Sequence, residues 1–255
     1  MTYDNSIKKI AELYDARITS TKDAVKAAGQ WGSDDFVPLI CKEICSKIKL
    51  KQSDTILELG CGSGVLGNWI IDKCSKYVGI DLSSKMLNHF LNNSNKALDL
   101  IQGTTDLTGF KDNSFDIIIL NGVTMYFSNE LLANTLKEMK RVVSPSGVIF
   151  IGENIVPSGY FWEFVWFQNL SPTKQRLLLP YVKFRKWLAK NPKFAGKWKS
   201  IHNEISPKLI KEFFSENDVQ QTNAAAFTVK KQQLGSKYKG NRRADFLIKF
   251  RGKII

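Results

Sequence analysis

Two periods of apolar spacing alternate along the first 152 of this chain's 255 residues, short strand-type runs separated by stretches with helical spacing. TILEL (55–59) is a strand-type run stopped by glycines, and VLGNWIIDKC after it carries apolar residues at helical intervals. YVGI (77–80) reads as a second strand, and Ser83 is placed to cap the helix SSKMLNHFLNN by accepting a hydrogen bond from its unpaired first-turn amides. ALDLIQ (97–102) reads as a third strand. FDIIIL (115–120) is the clearest, apolar on both faces as a strand inside a parallel sheet must be. Ser128 caps a helix reaching Arg141, and GVIFIG (147–152) is a fifth strand. Strand and helix alternating at this spacing predict a parallel sheet covered by helices on both faces.

The flanks follow other patterns. Residues 1–50 give two helical stretches, the second capped by Ser33 with Asp34 and Asp35 in its first turn, where the helix dipole favours acids. Residues 158–205 read as an irregular helical segment, aromatic and basic, punctuated by Pro172, Pro180 and Pro192. Ser206-Pro207 opens a short helix to about Glu216, with proline at the first helical position. Two extended runs, AAAFTVKK (224–231) and ADFLIKFR (244–251), close the chain without a crossover helix between them, which predicts an antiparallel pair.

A hydrophobic content of 43% and a charged content of 24% are ordinary for a soluble globular protein, but a net charge of +13 is not. Up to Pro157 there are 17 Lys and Arg against 18 Asp and Glu; from Ser158 onward there are 20 against 6. The whole excess sits in the last two-fifths, which implies that this part handles something anionic. Cys41, Cys45, Cys61 and Cys74 form no CxxC pair and no metal spacing with a histidine, so a reduced, cytoplasmic protein without a metal is expected. No apolar signal region opens the sequence, and no run approaches the ~18 apolar residues of a membrane span. YFWEFVWF (160–167) comes nearest and is interrupted by Glu163.

The chemistry starts at ELGCGSGVLG (58–67), which joins the first strand to the first helix of the alternating region. Glycines there let the backbone turn sharply and a ligand approach closely. Gly62 to Gly67 spells GxGxxG, and Asp81 at the end of the second strand suits the ribose hydroxyls of any adenosine. Glu58 beside this loop disfavours a pyrophosphate and suits a ligand carrying an ammonium and a sulfonium. The antiparallel close of the chain is also unlike a second mononucleotide-binding half.

ILELGCGSG (56–64), YVGIDLS (77–83), IQGTTDLTGFKDNSFDIIILNG (101–122) and SPSGVIFIG (144–152), in this order, resemble the class I S-adenosylmethionine-dependent methyltransferases, in their small-molecule branch. The resemblance runs from about Thr55 to Gly152. It implies one α/β domain with a Rossmann-like, doubly wound, mostly parallel seven-stranded sheet ending in an antiparallel strand pair. A helical cap would span 1–50, the cofactor core 54–152, a helical lid insertion 158–205, and a final helix and strands 206–255. It implies S-adenosylmethionine as cofactor and S-adenosylhomocysteine as product. Glu58 and the backbone of Gly60, Cys61 and Gly62 would hold the methionine end, Asp81 the ribose, and Leu82 would pack on the adenine. Thr104, Thr105 and Asp106 stand where relatives carry an aspartate for the adenine amino group. Asn121 would meet the cofactor's amino end and face the acceptor.

Methyl transfer needs a nucleophile aligned behind the sulfonium carbon and often a base. Asn121 to Phe127, NGVTMYF, lacks the Asn/Asp-Pro-Pro-aromatic turn common among enzymes that methylate base nitrogens. His202, between the basic segment and the helix opened by Ser206, is a candidate base; Tyr126 and Glu153, at the C-terminal ends of strands, are further catalytic candidates. His89 reads as structural or solvated. Residues 171–199 hold nine cations and no acid. The expected lid uses Trp162 and Trp166 as walls and Lys183, Arg185 and Lys186 for phosphate or carboxylate groups, AAGQWGSDDF (27–36) forms the other wall with Trp31 near the cofactor, and Tyr126 is expected to contact the acceptor as well. Four readings of the acceptor are open: a small anionic metabolite such as a phosphorylated or nucleotide-linked sugar, a polar lipid at a membrane surface, RNA, or none, in a binding protein without turnover.

Overall fold

The strands order the molecule. A computed structural model describes residues 3–21, 23–28, 34–96, 98–155, 205–234 and 243–250. Seven strands form one sheet: β1 (Thr55–Leu59), β2 (Lys76–Asp81), β3 (Asp99–Gln102), β4 (Phe115–Asn121), β5 (Val143–Ile155), β6 (Asp218–Asn223) and β7 (Arg243–Lys249). Their order is β3-β2-β1-β4-β5-β7-β6. β1 to β5 run parallel, and β7 is antiparallel to both β5 and β6. The expected doubly wound sheet with an antiparallel end is therefore the observed one.

Successive residues of the inner strands are buried on opposite faces, as their apolar runs require. Leu57, Leu59, Ile118, Leu120, Ile149 and Ile151 face α6 (Asn129–Val142) and α7 (Pro207–Phe213) in one core. Ile56, Ile117, Ile119 and Phe150 face α3 (Val37–Ile48) and α8 (Ala225–Leu234) in the other. Ser83 caps α5 (Ser84–Asn92) by accepting from Met86 N, and Ser128 caps α6 by accepting from Leu131 N, both at 3.1 Å. α1 (Tyr3–Thr21) and α2 (Ala24–Ala28) belong to neither main core. They build a separate cluster of Ile18, Ala27 and Met86 with Tyr14 packed on it.

Two expectations are corrected. AAAFTVKK is not a strand: Ala225–Leu234 is helix α8, and the partner of β7 is DVQQTN, β6. Three alanines favour helix over strand, while β6, an edge strand half-exposed along its length, has no apolar run to betray it. The helix over 37–48 begins after Phe36, with Pro38 in its first turn and no side-chain cap, and Asp34–Phe36 forms a 3-10 turn before it. Ser33 lies outside the described residues. All four cysteines are free, and among the described residues no helix is long and apolar enough to cross a membrane.

Candidate functional site

A cleft of about 940 Å³, its open mouth included, lies where the C-terminal ends of β1, β2 and β4 meet α1 and α2. Its first wall is the loop leaving β1. The amides of Gly60 and Cys61 both donate to the Ile80 carbonyl, at 2.7 and 3.0 Å, pinning the loop to the end of β2. Gly60 has φ +73°, and a Cβ there would stand 2.5 Å from Val123 Cγ2, so glycine alone lets the loop pass the turn after β4. Gly62, with φ +54°, differs: a Cβ there would meet no atom within 4 Å and would project into open space.

Asp81 closes the second wall. Its Oδ2 accepts from Gly62 N and its Oδ1 from Ser83 N, each at 2.8 Å, so its orientation is fixed by backbone on two sides. Burial pushes this carboxyl above its ordinary range, against the pull of those amides. Glu58, 4% exposed at the end of β1, accepts from the Tyr77 hydroxyl at 2.6 Å. Burial pushes it up to about 8; the Tyr77 bond opposes this and the charge of Asp81 adds to it. Cys61 is held well above the usual thiol range by burial, so its sulfur stays protonated and unreactive.

The third wall is the turn after β4. Asn121 lies in β4 beside Gly152 of β5, and its Oδ1 is buried with no hydrogen-bond partner among the described residues. The turn is braced from β5: Thr124 Oγ1 donates to Asn154 Oδ1 at 2.8 Å, and Asn154 Nδ2 donates to the carbonyls of Ile151 and Ala244. Val123, Tyr126 and Phe127 face the cleft from this turn.

The fourth wall comes from α1 and α2, through Ile10, Ala11, Tyr14, Val25 and Ala28. The Tyr14 ring meets Tyr126 edge-on with centroids 5.7 Å apart, and the Arg17 guanidinium lies 5.0 Å over its face. Burial, with a hydrogen bond to Tyr126, drives the Tyr14 phenol far above its ordinary range, so it keeps its proton. Tyr14 was not among the residues expected from the sequence. The signal was present: Ile7, Ile10, Ala11, Tyr14 and Ile18 follow the spacing of one helix face, which an amphipathic helix must bury.

Of the residues expected from the sequence, Glu58, Gly60, Cys61, Gly62, Asp81, Leu82, Asn121 and Tyr126 line this one cleft. Thr104, Thr105 and Asp106 do not: Thr105 is turned to α6, its hydroxyl 2.7 Å from that of Thr135. Glu153 does not either. A register shift in β5 and a left-handed backbone (φ +56°) turn its carboxyl under α8, where it accepts from Ala226 N at 3.1 Å and pairs with Arg243 at 3.3 Å. Trp31, Trp162, Trp166, Lys183, Arg185, Lys186 and His202 lie outside the described residues. Among the described residues, no three His, Cys, Asp or Glu side chains gather to hold a metal ion.

Residues 57–151 match the sequence family described as a methyltransferase domain. An uncharacterized methyltransferase of Schizosaccharomyces pombe is 36% identical over 94 residues, 34% of this chain and 34% of that protein. A second one from the same yeast is 30% identical over 129 residues, 50% of each chain. The chain thus spans half or less of the length of these curated relatives. Among solved structures, phosphoethanolamine N-methyltransferase 1 of Haemonchus contortus, in complex with phosphoethanolamine and S-adenosylhomocysteine, superposes with a TM-score of 0.69 at 10% identity, covering 100% of this chain and 51% of that one. The putative methyltransferase of Haloferax volcanii in complex with the Trm112 methyltransferase activator gives 0.62 at 16% identity, covering 93% of this chain and 97% of that one. At such identities the likeness is one of fold.

Proposed function

We propose that this chain, whose residues 57–151 match the methyltransferase domain, is a class I S-adenosylmethionine-dependent methyltransferase that moves a methyl group from S-adenosylmethionine to an oxygen or nitrogen of a small anionic acceptor. The observation that carries the cofactor reading is the chemistry of the cleft. Two carboxyl groups, an unpartnered amide oxygen on Asn121 and open space over Gly62 fit a ligand with an ammonium, a sulfonium and a ribose diol. Asp81, fixed by two amides, is oriented to receive the diol, and Glu58 with the loop backbone faces the cationic end. The bound cofactor supplies an electrophilic methyl on sulfur. The protein supplies alignment: apolar Val123, Phe127 and Leu131 exclude water, and Tyr126 stands as the polar contact for the acceptor.

The acceptor reading rests on the nine cations without an acid between residues 171 and 199. They suit a phosphorylated or nucleotide-linked sugar, with Trp162 and Trp166 as walls and Lys183, Arg185 and Lys186 for its charges. His202 is the proposed base. The free cysteines support a reducing, cytoplasmic setting. Calorimetric titration with S-adenosylhomocysteine tests the cofactor: the wild type binds and Asp81→Ala does not. Equal binding by both proteins would remove Asp81 from the site and the reading with it. Methyl-labelled S-adenosylmethionine and a cell extract test the acceptor. Label in the small polar fraction supports the proposal, and label in RNA or lipid assigns the basic segment to a larger anion.

A further inference from the structure

Beneath the glycine loop, outside the cleft, stands a buried tyrosine. Tyr77, the second residue of β2, lies in register with Ile56 of β1, is 5% exposed and does not line the cleft. Its ring meets Phe90 edge-on with centroids 6.0 Å apart. Its hydroxyl reaches diagonally to Glu58, two residues further along β1, and donates to Oε2 at 2.6 Å. Gly67, the first residue of α4 (Gly67–Ile70), leaves the room for this: a Cβ there would stand 2.6 Å from the Tyr77 hydroxyl and 2.6 Å from Phe90 Cζ. The last glycine of GxGxxG thus serves the tyrosine below it as well as the turn above.

We propose that Tyr77 is a positioning residue for the methyl donor: acting through Glu58, it anchors one carboxylate oxygen below the loop, leaves the other for the cleft, and makes the site favour the sulfonium-bearing donor over the sulfonium-free product. The inference rests on the cofactor reading given above. With Oε2 tied down, the carboxylate does not turn away from the cleft it lines. A hydroxyl also bonds an ionised oxygen more strongly than a neutral acid, so Tyr77 favours the charged form. It thereby opposes burial and the charge of Asp81, which together hold the carboxyl of the empty cleft up at about 8. Apart from Asp81, the titratable groups around Glu58 stay neutral at neutral pH. Cys61 in the loop and Cys41 and Cys45 on α3 are thiols raised by burial, and Tyr77 itself is held well above the usual phenol range. β4 places Ile119 beside Glu58, and Lys73 lies over the Trp69 ring without an ion pair to it. The sulfonium of the donor therefore drives the Glu58 proton off to solvent, and the product, which keeps only the ammonium, does so less.

S-adenosylmethionine and S-adenosylhomocysteine are titrated calorimetrically into the full chain from pH 6 to 9, for wild type, Tyr77→Phe, Glu58→Gln and the double variant. The ammonium is common to both ligands, so the ratio of their affinities isolates the sulfonium. In the wild type this ratio should rise with pH and level off above about 8. In Tyr77→Phe the rise should come about one pH unit later, leaving the ratio at pH 7 up to about tenfold lower. Gly67→Ala, which crowds the hydroxyl, should shift it in the same direction. Added to Glu58→Gln, Tyr77→Phe should change neither affinity by more than about twofold, because the group it acts through is gone. Should Glu58→Gln not fold, the shift in Tyr77→Phe carries the test. A tyrosine that only packs would weaken both ligands alike at every pH. That result, or a Tyr77→Phe effect as large in Glu58→Gln as in the wild type, would overturn the proposal and leave the cofactor site standing. A wild type that binds neither ligand would overturn both.

Discussion

Glu58→Gln separates the cost of the buried acid from its use. The carboxyl is 4% exposed, holds one hydrogen bond from Tyr77, and is pushed from its ordinary 4.5 up to about 8, by burial first and by Asp81 in addition. A folded-state value above the unfolded one means that the stability linked to this group is complete below pH 4.5 and is lost as pH climbs through 8. Between those limits the loss runs at about 1.4 kcal/mol per pH unit, so from pH 5 to pH 7.5 the empty wild type should lose roughly 3 kcal/mol that the amide variant keeps. Gln can still accept from Tyr77, so that hydrogen bond is kept in the variant. For a chain of this size, the melting-point gap between variant and wild type should widen by about 5–10 °C over that interval. Glu153 and Asp245, also raised by burial, are common to both proteins and cancel in the difference. Binding should show the reverse: the cationic cofactor draws the proton off Glu58, so wild-type affinity rises between pH 6 and 8, more for S-adenosylmethionine than for the sulfonium-free product. The variant should bind about 10- to 100-fold more weakly above pH 8, with little pH dependence. A melting-point gap that stays constant from pH 5 to 7.5 would refute the premise that this carboxyl is protonated in the empty cleft.

The glycine loop and the buried ion cluster give further tests. Gly64→Ala places a Cβ 2.2 Å from the Phe90 ring at φ +80° and should cost about 3 kcal/mol in urea denaturation. Gly62→Ala, facing open space, should cost about 1 kcal/mol and weaken S-adenosylhomocysteine binding instead. If the two alanines exchanged these effects, the cleft would lie on the other side of the loop. Asp245→Asn takes from half-buried Lys47 the carboxylate that it meets at 2.7 Å, leaving its ammonium only neutral acceptors such as the Asn223 carbonyl, and should destabilise by about 3 kcal/mol, read from the same denaturation curves. Reversing Lys183, Arg185 and Lys186 to Glu should raise KM for an anionic acceptor while S-adenosylhomocysteine affinity holds; unchanged acceptor kinetics would make these charges a solvated face.

The sheet was legible where burial on both faces left no choice of residue: FDIIIL admits little but an inner parallel strand, and it is β4. β6 was not, because DVQQTN pairs only with β7 at the sheet's edge, and an edge needs backbone partners more than apolar side chains. Two of the three alanines taken for a strand open α8 because their amides have acids to meet: Ala225 N donates to Asp245 and Ala226 N to Glu153. The same pairing explains Glu153, which its place at the end of a strand made a catalytic candidate. A one-residue bulge changes the face on which a side chain lands, and no local pattern in GVIFIGEN announces the bulge.

The donor half of the site and the acceptor half differ in legibility for a physical reason. The donor half is built from backbone: positive-φ glycines, two amides on Asp81, and a loop pinned to the next strand. Such geometry demands particular residues at fixed local offsets, so 24 consecutive residues from Glu58 to Asp81 spell most of it. The half proposed for the acceptor rests on side chains that no local rule ties together. Tyr14 and Tyr126 meet edge-on although 112 positions separate them, and each alone is only an aromatic on an amphipathic face or in a turn. A wall made in this way can change its residues without disturbing the glycine loop beneath it. The loop beneath can therefore stay constant while the wall above it varies, which is why the glycine loop points to a cofactor and the acceptor is left to chemistry at the mouth of the cleft.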